Sequence, residues 1–111
     1  MIDKDLFEKA YILGKFSEKI SSTTCCDAGV YSLTEDRIVF PFRVVLKYDN
    51  YSANDVWEIR DVVLTHEEFI NLSFEEIMNR FGIVIDELTQ IYDNWNNRKN
   101  KNAWQSFKFV T

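Results

Sequence analysis

The chain is predicted to adopt an α+β fold with the element order α-β-β-β-α-α-β. Three observations carry this. Apolar residues recur at three- and four-residue steps near the N-terminus. Between Ile38 and Tyr48 they recur at a strict period of two. From Thr65 to Asn97 the period is helical again. Helices segregated to one face of a mostly antiparallel sheet follow from that order. The 111 residues fit a single domain, 1–111. With 46% hydrophobic residues, such a domain forms a core without disulfides or metals.

The first helix is carried by Leu6, Ala10, Leu13, Phe16 or Ser17, and Ile20, with Phe7, Tyr11 and Ile12 widening the apolar face. Asp3 is the expected N-cap. Gly14 either weakens the helix by about 1 kcal/mol relative to Ala or marks a close contact. The stretch SSTTCCDAG then ends the helix, because its short polar side chains compete for backbone hydrogen bonds.

A strand meander follows. Tyr31 and Leu33 share one face of a short strand, and Thr34 to Arg37 suits a tight turn. Ile38, Phe40, Phe42, Val44, Leu46 and Tyr48 then alternate with Val39, Pro41, Arg43, Val45 and Lys47. Pro41 cannot donate to a ladder, so it implies an edge position or a bulge. Residues 49–55 read as a loop. Val56 to Leu64 returns as a third strand, with Trp57, Ile59 and Val63 on one side and Glu58 and Arg60 on the other, beside Val56, Val62 and Leu64.

Thr65-His66-Glu67-Glu68 is a capping box, and Ser73-Phe74-Glu75-Glu76 is a second one. Gly82 is expected to end the helix opened by Ser73. A third helix is expected over Ile85 to Asn97, a polar connector over Asn96 to Asn102, and a last strand over Ala103 to Val110.

Charge is unevenly placed. The net of −5 is composed of zero over residues 1–48, −9 over 49–93 and +4 over 94–111. An acidic middle opposes phosphate backbones and favours basic partners; a basic tail does the reverse. The N-terminus carries Asp3, Asp5 and Glu8 and lacks the basic start and apolar run of a signal peptide. No segment has the length of a membrane span. A cytoplasmic protein is expected.

Few residues invite chemistry. Cys25 and Cys26 are adjacent, and His66 is the one histidine. Zinc wants four ligands at paired spacings, so no metal site and no cofactor are expected. No spacing couples either thiol to His66 as a base. No phosphate loop, nucleophile elbow or zinc-protease motif is present, and a catalytic role is not expected. Glu67, Glu68, Glu75, Glu76, Asp86 and Glu87 each lie in the first turn of an expected helix, where the macrodipole favours acids. Together they suggest one acidic surface, which capping alone does not explain.

The leading expectation is therefore a non-enzymatic regulatory or inhibitory protein. Its acidic helical region, residues 65–87, would dock on a basic and normally nucleic-acid-binding protein. Richness in Asn, Ile, Lys and Phe resembles AT-rich bacterial or phage coding and suggests a mobile-element origin. The alternative is a nucleic-acid-binding regulator. It would use the helix pair 73–97 as a helix-turn-helix, or the basic segment 98–108 with Arg98, Lys99 and Lys101. Asp86 and Glu87 at the start of a reading helix argue against the first version.

Overall fold

The computed structural model describes residues 4–46 and 56–110, with side chains through residue 97. The elements are α1 (Lys4–Ser21), β1 (Asp27–Ala28), β2 (Ser32–Leu33), β3 (Arg37–Leu46), β4 (Val56–Thr65), α2 (His66–Asn71) and α3 (Phe74–Val110). The class is α+β, as the change of hydrophobic period implies. The expected cap Asp3, the strand end Tyr48 and the loop 49–55 lie outside the described residues.

β3 is the central strand. Ile38, Phe40, Phe42 and Val44 are fully buried along one face. β4 pairs with β3 over all ten residues, from Arg37 opposite Thr65 to Leu46 opposite Val56. The other edge of β3 holds β1 and β2 in turn. Asp27 and Ala28 oppose Arg43 and Phe42, whereas Ser32 and Leu33 oppose Val39 and Ile38. Three residues, 29–31, therefore stand against two, 40 and 41, and this one-residue surplus is a bulge.

The bulge falls where proline sits. The Gly29 N–H donates to the Pro41 carbonyl at 2.9 Å, and the reciprocal bond would need an N–H that proline lacks. A proline is thus accommodated in a central strand, because its missing donor faces the interruption in the ladder.

α1 and α3 cover the buried face. α1 buries Leu6, Ala10, Leu13, Gly14 and Ser17; Phe7, Tyr11 and Ile12 stay about half exposed. The Ser17 hydroxyl satisfies itself on the Gly14 carbonyl at 2.7 Å. α3 supplies Ile77, Phe81, Ile85 and Leu88. The Phe81 ring lies 4.9 Å from Phe40 and 5.3 Å from Phe42, centroid to centroid, within the favourable range for aromatic pairs.

Two expectations are corrected. Gly82 ends nothing: no glycine in the described chain has positive φ, and α3 runs through it. There is accordingly no helix pair over 73–97. Burying Ile77, Phe81, Ile85 and Leu88 on one uninterrupted stripe outweighs the roughly 1 kcal/mol that a helical glycine costs. The expected strand over Ala103 to Val110, and the connector before it, are also helical. No Gly or Pro follows Gly82 to interrupt α3, and a short apolar run such as Trp104, Phe107 and Phe109 does not by itself discriminate strand from helix.

Candidate functional site

α2 begins at a complete capping box. The Thr65 hydroxyl accepts the Glu68 N–H, and the Glu68 carboxylate accepts the Thr65 N–H, each at 3.1 Å. Arg80 of α3 donates to the other Glu68 oxygen at 3.1 Å. The Thr65 N–H first, and then Arg80, hold the Glu68 carboxyl below its ordinary pKa. Ser73 caps α3 by accepting the Glu76 N–H at 3.1 Å.

Lys9 ties α1 to the end of α2. Its ammonium donates to the Phe69 and Leu72 carbonyls, two of the acceptors a helix C-terminus leaves over, and lies 5.1 Å from the Phe69 ring centroid. Burial lowers the Lys9 pKa, and the Glu76 carboxylate opposes that shift.

The six acids are not equivalent. Glu68 is engaged by the cap and by Arg80. Glu87 accepts from Arg60 at 3.3 Å, and Glu58 holds the same guanidinium at 3.3 Å. Glu67, Glu75, Glu76 and Asp86 are exposed. Along α3, Glu75 and Asp86 fall on one line and Glu76 and Glu87 on another, about 100° apart at 3.6 residues per turn. Both lines belong to the half of the helix turned from the core.

Ile83 stands among them. It is 66% exposed, and its helical neighbours one turn on are Asp86 and Glu87. With Asp61, Val62, Val63, Arg80 and Val84 it lines a depression of about 240 Å³ between α3 and β4. A second depression, about 450 Å³, is bounded by Phe7, Glu8, Tyr11, Ile12 and Tyr31 on the outside of α1.

The thiols and the histidine have separate surroundings. Cys26 is fully buried, its Sγ 3.8 Å from the Ile85 carbonyl, and Cys25 Sγ approaches the Thr89 hydroxyl at 3.7 Å. Burial first, and then the neighbouring Cys25, push the Cys26 thiol up to about 11. A thiol held in that way is a weak nucleophile at neutral pH. His66 Nε2 lies 2.6 Å from the Thr34 carbonyl, which pins the start of α2 to the β2–β3 turn. Among the described residues no hydrogen bond joins His66 to either sulfur. Nor do any three His, Cys, Asp or Glu side chains group as metal ligands would.

Arg98, Lys99 and Lys101 lie on α3 rather than in a connector. Their side chains are outside the described residues.

One feature escapes the sequence reading. Trp57, Ile59 and Val63 are 43%, 54% and 49% exposed, on the sheet face that the helices leave open. Arg43 stacks its guanidinium 4.3 Å from the Trp57 ring centroid, within cation–π range. The hint in the sequence is that β4 is apolar on both sides. Among the described residues no helix is long and apolar enough to cross a membrane. The chain matches no known family model, no curated protein and no solved structure.

Proposed function

We propose that this chain is a non-enzymatic regulatory or inhibitory protein that docks the solvent face of α2 and α3 on a basic protein surface. The observation that carries the reading is the exposed Ile83, one helical turn from Asp86 and Glu87 and on the same side of α3 as Glu76, with Arg80 one turn before it. An apolar side chain surrounded by charge is the arrangement of an interface anchor with a polar rim. The one base among residues 65–87 is Arg80, and it is tied to Glu68. The surface offered to a partner therefore keeps its negative sign. A partner that ordinarily binds nucleic acid suits that sign, and the cytoplasm suits the chain. A mobile-element origin is consistent with the composition.

The test is a pull-down from the native host, followed by titration of the captured protein. Reversing Glu67, Glu75, Glu76 and Asp86 to Lys should abolish capture, and Ile83→Asp should weaken it at least tenfold. Association should also slow steeply with added salt. Capture that survives all four reversals overturns the reading. So does salt-sensitive DNA or RNA binding that is lost on replacing Arg98, Lys99 and Lys101.

A further inference from the structure

We propose that the depression on the outside of α1 binds an organic cation, a positively charged nitrogen carried on an apolar body. Three of its lining residues are aromatic. Phe7 and Tyr11 stand one helical turn apart on α1, and Tyr31 reaches them from the segment between β1 and β2. Glu8 and Ile12 complete the lining of a space of about 450 Å³, a size that suits a small organic molecule. These side chains are not needed for the core, which α1 supplies from Leu6, Ala10, Leu13 and Ser17 on its other side. The Tyr31 ring is held by Phe40, centroids 5.8 Å apart, so one wall is fixed before a ligand arrives.

The face of an aromatic ring is electronegative and attracts cations. Tyr11 already does so: the Lys15 ammonium lies 5.7 Å from its ring centroid. Lys15 is paired with Glu18 at 3.7 Å and lines the adjoining depression, with Gly29 and Val30, rather than this one. Among the described residues no base lines the aromatic site, and its one charged group is the Glu8 carboxylate. Glu8 is exposed, and no described side chain or backbone group engages that carboxylate.

Charge decides the occupant. A neutral apolar cover would take Glu8 out of water with nothing to pair it, which is costly. An anion would meet it with like sign. An organic cation suits both parts of the site: its apolar body lies on Phe7, Ile12 and the rings, and its nitrogen lies between the ring faces and Glu8. An alkylated nitrogen suits better than a bare ammonium, because it gives up less hydration against an aromatic wall.

The test is an NMR titration of the full, isotope-labelled chain with benzyltrimethylammonium chloride. Saturable shifts should fall on residues 7–12 and on Tyr31, with a Kd of about 1 mM or tighter. Benzyl alcohol and phenylacetate, which keep the ring but lose the cation, should each bind at least about tenfold more weakly. Glu8→Gln and Tyr11→Leu alter exposed side chains and leave the core untouched. Each should weaken the cation at least about fivefold, and Glu8→Gln should leave benzyl alcohol unchanged. An apolar peptide carrying trimethyllysine, titrated in parallel, names the source of the cation: tighter binding than the free salt assigns it to a modified protein chain, weaker binding to a small molecule. Equal binding of the cation and benzyl alcohol overturns the proposal, as does a cation affinity that Glu8→Gln does not change. Shifts confined to the acids of residues 67–87 also overturn it, since net charge alone would then draw the cation. Charge reversal at Glu67, Glu75, Glu76 and Asp86 should leave binding at α1 intact, which separates this site from the docking surface.

Discussion

The Tyr31 ring lies directly on the backbone of Gly14. A methyl group placed on Gly14 would come 2.7 Å from both Cδ1 and Cε1 of that ring. This contact seats the bulge region of the sheet against α1, and it explains a glycine in the middle of a helix. Gly14→Ala should therefore destabilise the protein by about 1–3 kcal/mol despite the better helix propensity of alanine. Gly82 is the contrasting case, with nothing within 4 Å of the same hypothetical methyl. Gly82→Ala should stabilise by about 0.5–1 kcal/mol. Urea denaturation midpoints of the two variants should move in opposite directions.

Among the described residues, Lys9 is the side chain that reaches the last carbonyls of α2, at Phe69 and Leu72, from another element. Lys9→Met keeps the aliphatic stem and removes the donors. It should lose about 1.5–3 kcal/mol, the range for hydrogen bonds to a charged group. Hydrogen exchange should show the loss concentrated in α2, whose six residues hold few bonds of their own.

Cys26 makes stability fall at alkaline pH. Its thiol titrates at about 11 in the folded chain against an ordinary 9.0. Between those values the unfolded chain binds fewer protons, so stability declines as pH rises from 9 toward 11. The decline is at most about 2–3 kcal/mol. The Cys26→Ala variant should lack this contribution, so its profile should fall less steeply over that range, although that variant is less stable throughout. Thiol labelling of native protein at neutral pH should be slow at Cys26, and fast labelling there would return a nucleophilic role to consideration.

The capping box at Thr65 sets an acid limit. Thr65→Ala should lose about 1 kcal/mol. The Glu68 carboxyl is held below its ordinary 4.5, so its contribution is present above that pH and is lost as pH falls through the lower folded value. Acid titration followed by circular dichroism should show this loss in wild type and not in Glu68→Gln.

Much of the fold was legible because its signals are local. The strict alternation from Ile38 to Leu46 reports a strand with one buried face, and Thr65 with Glu68 reports a helix start, wherever the rest of the chain lies. Pro41 was legible as an exception and resolved into a bulge. The extent of α3 was not legible, because Gly82 satisfies the local signature of a helix stop. Whether it acts as one depends on how much apolar surface lies beyond it to bury. The site was legible only as charge. That Glu68 and Glu87 are engaged by Arg80 and Arg60, and that Glu67, Glu75, Glu76 and Asp86 remain exposed, depends on partners 12 and 27 residues away in the chain for the first two.

By itself, then, the sequence determined the periods, the caps and the uneven charge. Each of these is a property of neighbouring residues on one element. Only the tertiary structure decided which side of β4 is buried. Both of its sides are apolar enough to serve. The pairing of Val62 with Phe40 and Leu64 with Ile38 puts that side under α3. The same register leaves Trp57, Ile59 and Val63 on the open face. A single-residue slip would exchange the two sides, and nothing local to β4 forbids it.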